Sequence, residues 1–468
     1  MNLPKNLLIL FAVMLYSCGG KQRAVPQEDA AAFSGAKGEV KLMVLDPGHF
    51  HAALVQKTMY EQVDPTVYVY APEGSDVQDH LAQIDGFNAR SVNPTRWKNV
   101  VYTGADYLRR MLDERPGNVL VLSGNNAKKI SYIKAAAGAG INIFADKPMV
   151  IDAEGFAMLE QAFQLAAEQG VLIYDIMTER YEITTVLQRE LSMMPGIFGT
   201  LVDGSPEDPA ITKESVHHIF KEVAGKAVTR PAWFFDTDQQ GEGIVDVTTH
   251  LVDLIQWEAF PEQVLHKTDV EMLQARRWAT ELNPEQFLQV TRLDSFPSFL
   301  EKDVKDGKLE VFSNGEMIYR LKGKHARVSV IWNFQAPDGT GDMHYSVMRG
   351  TRCKLIVRQG AEENYRPSVY VQFTAEDAPE TFGRELKQAV EHTLADRYPG
   401  LELVQLEDRL WTVAVPDRYR LGHEAHFGQV TERYLEFLKA GKMPAWEVPN
   451  MITKYYTTIR AREMALRP

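Results

Sequence analysis

The chain has 468 residues, 45% hydrophobic and 24% charged, and a formal net charge of -12 at pH 7. This composition is that of a globular protein, and the length exceeds what one hydrophobic core usually holds, so we expect two domains. The acidic balance argues against nucleic acid or an anionic membrane surface as a partner, since both bind basic patches.

The first twenty residues have the pattern of an export signal. Lys5 precedes an apolar run over residues 7–15, which is too short for a membrane span of about 20 apolar residues. The letters LYSC at residues 15–18 resemble a bacterial lipobox, in which the cysteine is lipidated and becomes the N-terminus. We therefore expect residues 1–18 to be a lipoprotein signal peptide and Cys18 to carry a lipid anchor, the only membrane contact, facing the periplasm or the cell surface. The alternative is an ordinary cleaved signal peptide.

A regular alternation of short apolar runs and helical stretches follows the signal. Residues 19–38 are rich in Gly, Ala, Gln and charge and predict a flexible tether. The apolar runs are typical of strands buried on both faces of a parallel sheet, and they cover residues 40–45, 67–70, 100–102, 119–122, 141–144 and 171–174. The clearest helices between them cover residues 127–139 and 153–169. The alternation predicts an α/β fold, a Rossmann-like doubly wound parallel sheet over residues 39–178, with its ligand outside the carboxyl ends of the strands.

Beyond residue 178 the pattern changes to runs of alternating polarity, which are typical of antiparallel strands. These runs cover residues 310–320, 325–334, 343–348 and 353–358. Helical patterns cover residues 182–192, a stretch that starts near Asp246, and residues 424–440 and 450–466. We predict a C-terminal α+β substrate domain over residues 179–468 with an open, mainly antiparallel sheet and an added lobe at about 360–420.

The first strand ends in a turn where dinucleotide-binding domains carry three glycines, which let the backbone approach a pyrophosphate. Only Gly48 is present, and Asp46 and His51 stand at the other two positions. No acidic residue stands at the end of the second strand, where one would bind the ribose, and Glu73 follows slightly later in the sequence. His49 and His51 have no third nitrogen or sulfur ligand nearby in the sequence, so we predict no metal site. Taken alone, this turn is weak evidence for a dinucleotide.

Ala-Asp-Lys-Pro at residues 145–148 directly follows the fifth strand. A lysine at the carboxyl end of a central parallel strand points into the ligand crevice, and Pro148 fixes the turn that presents it. A surface lysine is the alternative, and this motif alone does not decide between them.

The most specific segment is GEGIVDVTTHLVD at residues 241–253. On a helix, Asp246, His250 and Asp253 fall at positions i, i+4 and i+7, so they line one face. A histidine held by a neighbouring carboxylate can accept a hydroxyl proton while a hydride leaves the same carbon. The alternative is that Asp246 caps the helix and that His250 packs in the core without a catalytic role.

Together and in this order, these motifs resemble the Gfo/Idh/MocA family of sugar and polyol oxidoreductases. Shorter matches extend the resemblance over roughly residues 40–460, at residues 124–126, 179–181, 348–351 and 437–444. Asp146 replaces the glutamate of the family's motif.

The resemblance implies an NAD(P)-dependent oxidoreductase that acts on a sugar, glycoside or polyol. By the resemblance, Lys147 orients the substrate hydroxyl and His250 is the general base. Asp246 positions both substrate and imidazole, and Arg180 contacts the substrate. The cofactor, NAD or NADP, is expected to contact Pro47, Gly48, His49, Phe50, Asn125, Asn126, Asp146 and Lys147.

Two finer questions stay open at this point. Some exported relatives keep a cofactor that is reduced and reoxidised within one turnover, which permits epimerisation, elimination or glycosidic cleavage without net redox. The alternative is a non-redox carbohydrate-binding lipoprotein, or a lyase that has lost dinucleotide binding. The eroded glycine turn favours it, and so does export in the unfolded state, which is expected because no pair of arginines precedes the apolar run. The presence of Lys147, Asp246 and His250 opposes this alternative. A protein that only binds its ligand needs neither a lysine nor a base directed at one carbon atom. Relatives often pair through the open sheet face, so a homo-oligomer is expected unless the added lobe blocks that face.

Overall fold

The computed structural model describes residues 33–467, apart from residues 224, 225, 338 and 377. For residues 222, 223, 226 and 227 it describes the backbone alone. The predicted signal peptide, Cys18 and most of the predicted tether lie outside the described residues. Within residues 33–467, no helix has both the length and the apolar character that a membrane span needs.

The first sheet is the predicted doubly wound one, with six parallel strands. They are β1 (Leu42–Leu45), β2 (Thr66–Ala71), β3 (Lys98–Thr103), β4 (Val119–Leu122), β5 (Asn142–Asp146) and β6 (Ile173–Ile176). Their spatial order is β3-β2-β1-β4-β5-β6, so the direction of winding reverses between β1 and β4. Ligands of such sheets bind outside the strand ends at this switch point.

Five helices connect these strands: α1 (His51–Leu54), α2 (Ser75–Ala89), α3 (Tyr107–Glu114), α4 (Asn126–Gly138) and α5 (Ala153–Gln169). The α5 helix has the predicted bounds, because the Asp152 carboxylate caps its start by accepting from Gly155 N at 2.7 Å and Gly170, with φ of 68°, ends it. The α1 helix has only 4 residues. Few peptide dipoles therefore align behind the turn that a pyrophosphate would approach.

The second sheet is mixed and mainly antiparallel. Its strands are β7 (Ile211–Phe220), β10 (Val270–Leu282), β11 (Val304–Lys305), β12 (Lys308–Leu321), β13 (Lys324–Gln335), β14 (Met343–Arg349), β15 (Cys353–Gln359), β16 (Ser368–Phe373), β17 (Glu402–Glu407) and β18 (Leu410–Ala414), while β8 (Glu222–Val223) and β9 (Lys226–Ala227) form a separate hairpin. The main order is β10-β12-β13-β7-β14-β15-β16-β18-β17, with β11 paired to β12 and β7 parallel to β13.

The remaining helices are α6 (Ile183–Ser192), α7 (Pro195–Phe198), α8 (Thr237–Gln240), α9 (Thr248–Ala259), α10 (Pro284–Thr291), α11 (Pro379–Gln388), α12 (His423–Ala440) and α13 (Glu447–Ala465). The α12 helix packs on the first sheet, where Tyr434 stacks on Phe144 of β5 with ring centroids 4.7 Å apart. Within the added lobe predicted at about 360–420, β16, β18 and β17 continue the second sheet at its edge. Phe382 of α11 stacks on Phe373 of β16 with ring centroids 4.3 Å apart.

Candidate active site

Lys147 and Asp246 form an ion pair where the two parts of the fold meet. Lys147 directly follows β5, and its Nζ donates to Asp246 Oδ1 at 2.7 Å. The other carboxylate oxygen accepts from Gln240 Nε2 at 3.1 Å. The side chains of the pair are only 12% and 10% exposed, so solvent screens the two charges little. The fold thus joins two of the three predicted catalytic residues across 99 positions of the sequence.

Two glycines allow the segment before Asp246 to lie this close to the second sheet. A Cβ on Gly243 would lie 1.7 Å from the backbone oxygen of Ser313, and a Cβ on Gly315 would lie 2.6 Å from Cβ of Ile244. Any larger residue at either position would push the turn away from β12. These glycines therefore serve close backbone packing.

His250 lies in the first turn of α9, and Asp246 precedes that helix. Among the described residues, nothing hydrogen-bonds to its buried Nδ1, and no hydrogen bond joins it to Asp246. The prediction that Asp246 holds the imidazole therefore differs from the structure, because the carboxylate is engaged by Lys147 and Gln240. Burial, followed by the charge of Lys147, holds the pKa of His250 well below its usual range. The imidazole is neutral at pH 7 and can accept a proton.

This lowered pKa predicts a broad pH range for catalysis. The base form of His250 is populated above its pKa, so we expect kcat/KM to stay flat as the pH falls from neutrality and to drop only well below pH 6.5, the ordinary histidine value. A pH profile of kcat/KM measures this directly. An acid limb at or above pH 6.5 would show that His250 is not the base whose titration limits the rate.

Arg180 is not placed to contact a substrate, contrary to the prediction. Its Nε and Nη2 donate to the two oxygens of Asp253 at 2.6 and 2.7 Å, and Nη1 donates to Glu447 at 3.0 Å. Lys454, fully buried, completes the network by pairing with Asp253 at 2.8 Å and with Asp175 at 2.7 Å. These charges join α9, α13 and β6 in the interior. Arg180 and Asp253 therefore hold the fold behind the site.

The turn after β1 keeps the backbone of a dinucleotide-binding turn although two glycines are missing. Asp46 has a φ of 48°, the left-handed conformation that glycine would adopt at this position. Its carboxylate accepts from Tyr132 Oη at 2.7 Å and Lys128 Nζ at 3.3 Å. These donors stabilise a negative charge that would otherwise repel a pyrophosphate.

A cavity of about 250 Å³ opens beside this turn, between the carboxyl ends of β1, β2 and β4. Its lining includes Pro47, Asn125, Lys128 and Glu73, the acidic residue that comes late after β2. The position is that of a dinucleotide in a doubly wound sheet, and Glu73 is an acidic group of the kind that binds a ribose. The residues present therefore fit the adenosine half of NAD.

The pyrophosphate position beside Gly48 is bordered by two side chains. A Cβ on Gly48 would lie 2.9 Å from Asp76 Oδ2 and 3.1 Å from Trp233 Cζ2, and Trp233 Nε1 donates to Asp76 at 3.0 Å. Both contacts are made by the ends of side chains, which can rotate to admit a phosphate. Gly48→Ala is therefore expected to weaken nucleotide binding by about tenfold, or 1.4 kcal/mol, because the methyl fills the remaining space.

Calorimetric titration of nucleotide-free protein with NAD tests this change, with Gly86→Ala as the control because nothing lies within 4 Å of a Cβ there. Equal affinities of the Gly48→Ala variant and the unmodified protein would place the pyrophosphate elsewhere.

Three other predicted cofactor contacts have different surroundings. Asn126 Nδ2 donates to the backbone oxygen of Gln240 at 2.7 Å, so it ties α4 to α8. The Asp146 carboxylate accepts from Ser123 Oγ at 2.9 Å, lies 2.9 Å from His51 Nδ1 and is not part of the cavity lining. Phe50 is 45% exposed and lies outside the cavity lining.

An aromatic cleft adjoins Asp246 on the side of the second sheet, and the sequence analysis missed it. Phe234, Trp332 and Gln240 line it together with Asp246. The Arg230 guanidinium lies 4.6 Å from the centroid of the Phe234 ring, and burial lowers the pKa of Arg230 to about 10. Aromatic faces beside hydrogen-bonding groups suit an amphipathic ligand such as a sugar ring. The signal available in the sequence was the tryptophan in the run at residues 325–334.

Comparison with known proteins supports the same family as the motifs. Residues 187–466, more than half of the chain, match the family described as "Putative oxidoreductase C terminal domain". A crystal structure described as a "putative oxidoreductase" from Parabacteroides merdae is 54% identical, with a TM-score of 0.91, and the match covers 93% of this chain and 99% of that one. No curated protein matches this chain.

More distant structures share the fold. One is from Thermotoga maritima, 16% identical with a TM-score of 0.57, and the match covers 91% of this chain and 98% of that one. Another is levoglucosan dehydrogenase in complex with NADH and levoglucosan, 13% identical with a TM-score of 0.56, covering 91% and 97%. The predicted cofactor type is thus the one that this neighbour holds. Fold, motif order and family match agree, and the chain belongs to the Gfo/Idh/MocA-type oxidoreductases.

Proposed function

We propose that this protein oxidises a hydroxyl group of a sugar, glycoside or polyol with NAD as the hydride acceptor. The observation that carries the proposal is the Lys147–Asp246 pair at 2.7 Å, in which Asp246 also lines the aromatic cleft. A non-redox binding protein would have no use for a nearly buried ammonium with a neutral imidazole in its electrostatic reach. Levoglucosan dehydrogenase, which has the same fold, was solved with a sugar derivative and NADH.

The chemistry is divided among three side chains. The ammonium of Lys147, positioned by Asp246, donates to the substrate oxygen and stabilises the negative charge that develops on it. His250, neutral because burial lowers its pKa, accepts the hydroxyl proton. Bound NAD supplies the acceptor for the hydride. Trp332, which lines the cleft with Asp246, offers an aromatic face to the substrate ring, and the Arg230 guanidinium lies 5.5 Å from the centroid of that tryptophan ring.

The charges around the cavity favour NAD over NADP. Asp46, Glu73 and Asp76 line it, and Lys128 is the only cation in the lining. A 2′-phosphate would add negative charge to this acidic surface, which costs binding energy. We therefore propose NAD as the physiological cofactor.

Contacts over the cavity support a cofactor that stays bound through the turnover. Trp233 reaches Asp76 across the turn, and Gln239 Oε1 accepts from Asn125 Nδ2 at 2.8 Å. Both contacts must open before a dinucleotide leaves. A retained cofactor suits a closed cycle, in which a transient ketone acidifies the neighbouring C–H and the hydride then returns.

The experiment is a single-turnover measurement on NAD-loaded protein with a panel of sugars, glycosides and polyols. We expect one member of the panel to raise the near-ultraviolet absorbance of reduced nicotinamide, and Lys147→Met protein to show no rise. Turnover of a panel member by nucleotide-free protein at an unchanged rate would contradict the redox step. A transient rise that decays while product accumulates would identify the closed cycle, and a stable rise would identify net oxidation.

We also propose that the protein is exported and anchored by lipid at Cys18, on the basis of the LYSC letters at residues 15–18. Expression in bacteria with labelled palmitate tests this. Incorporation that is lost in Cys18→Ser supports the anchor, and an unlabelled protein overturns it.

A further inference from the structure

Three groups that ligate metals meet beneath the turn after β1. His49 and His51 come from the turn and from α1, and Asp146 comes from the end of β5. One ligand atom from each lies within 4.8 Å of the others. The prediction of no metal site rested on the lack of a third nitrogen or sulfur ligand nearby in the sequence, whereas the fold brings in a carboxylate, that of Asp146, from 95 residues away.

The separations of these atoms are close to those of a coordination sphere. His51 Nδ1 lies 2.9 Å from Asp146 Oδ2, and His49 Nδ1 lies 3.8 Å from the same oxygen. Ligands at about 2.0–2.2 Å from a tetrahedral zinc ion lie about 3.3–3.6 Å from one another, so both separations are within about 0.4 Å of this range. His49 Nδ1 also accepts from the backbone N of His51 at 3.3 Å, and a rotation of the imidazole frees its lone pair for a metal ion.

Two further residues fix the orientation of His51. His51 Nε2 lies 3.2 Å from His423 Nε2, and His423 Nδ1 lies 3.9 Å from Glu179 Oε1. If a metal takes the lone pair of His51 Nδ1, then Nε2–H donates to His423, and His423 Nδ1–H points toward the Glu179 carboxylate. Every nitrogen in this chain then faces a complementary group. Such outer partners of ligating histidines are typical of metal sites.

In the metal-free arrangement His51 Nδ1 lies 2.9 Å from Asp146 Oδ2, and His51 Nε2 lies 3.2 Å from His423 Nε2. Asp146 also accepts from Ser123 Oγ and from the backbone N of Lys147, which hold the carboxylate in place. Lys147 Nζ is engaged by Asp246.

We propose that His49, His51 and Asp146 bind one divalent transition-metal ion of the zinc class. Two imidazoles and one carboxylate are ligands that such ions accept, and three protein ligands leave a fourth position for water or a substrate oxygen. The site adjoins Lys147, which follows Asp146 directly, so the ion could bind an oxygen of the same substrate. His423 and Glu179 act as positioning residues.

The test measures metal in tag-free protein without substrate or nucleotide. After dialysis against a chelator and addition of Zn²⁺, we expect about one tightly held ion per chain by mass spectrometry, and added Co²⁺ should give a visible absorption band. Asp146→Asn and His49→Ala should each weaken binding by at least about 100-fold, and His423→Gln by about 10- to 100-fold. His392→Gln, at an exposed histidine, is the matched control and should not change binding.

Substoichiometric zinc, below about one ion per ten chains, with no cobalt band would overturn the proposal. Binding that persists at full affinity in both Asp146→Asn and His49→Ala would also overturn it. His49 is a partly exposed side chain at 23%, so its replacement is compatible with folding. Circular dichroism checks each variant. The metal measurement is separate from the oxidoreductase proposal, because it uses neither NAD nor a sugar.

Discussion

Replacing His250 with asparagine is expected to lower kcat/KM by about 10²- to 10⁴-fold, the usual contribution of a positioned general base. Asparagine keeps much of the volume of the imidazole but cannot accept a proton at neutral pH. Lys147→Met should cause a loss of similar size by removing the charge that stabilises the substrate oxygen. Because the two residues act on one oxygen, the double variant should be little worse than the poorer single one.

Steady-state kinetics on the substrate found in the panel measures these losses. His392→Asn, at an exposed position, is the control and should retain full activity. A His250→Asn variant with activity within about threefold of the unmodified protein would assign the base elsewhere. Strictly additive losses of the two single variants would show that Lys147 and His250 do not act on the same oxygen.

Lys454→Met is expected to lower the free energy of unfolding by about 3–5 kcal/mol. Lys454 is fully buried and pairs with Asp175 at 2.7 Å and Asp253 at 2.8 Å. Methionine fills a similar volume, so the loss comes from leaving buried carboxylates with one cation fewer. Arg180 still neutralises Asp253, and Asp175 is the group that loses its cation.

Urea unfolding measures the change. Arg109→Met is the control, because Arg109 is 69% exposed and pairs only with surface carboxylates, so its loss should cost no more than about 1 kcal/mol. A Lys454→Met variant that unfolds within about 1 kcal/mol of the unmodified protein would show that the buried network contributes little.

The parallel sheet could be predicted from the sequence because its strands are buried on both faces. Continuous apolar runs mark such strands, and β4 and α5 have the predicted bounds. The second sheet was predicted less completely. β7 lies in the interior of this sheet and is not among the predicted strands, since its burial does not alternate regularly. The strands β16 to β18 lie within the predicted added lobe, and their pairing with the rest of the sheet was not predicted, because hydrogen bonding to a distant strand leaves no local pattern.

The dependence on distant residues also separates the parts of the site that were predicted from those that were missed. Lys147 and Asp246 stand in local motifs, and the structure joins them. Arg180 stands in a matching motif too, but Asp253 and Glu447 engage it from other elements. His423 stands in none of the motifs, yet α12 brings it to His51 across 372 positions of the sequence. Long-range side-chain partners decide such cases, and one sequence does not contain them.

The measurement that tests the central claim most directly is the nucleotide content of the purified protein. The account predicts that denaturation releases NAD, or that nucleotide-free protein binds NAD at micromolar or lower concentrations and binds NADP more weakly. Binding should weaken in Gly48→Ala, where a Cβ would lie 2.9 Å from Asp76. A protein that releases no nucleotide and binds neither NAD nor NADP up to about 1 mM would contradict the account.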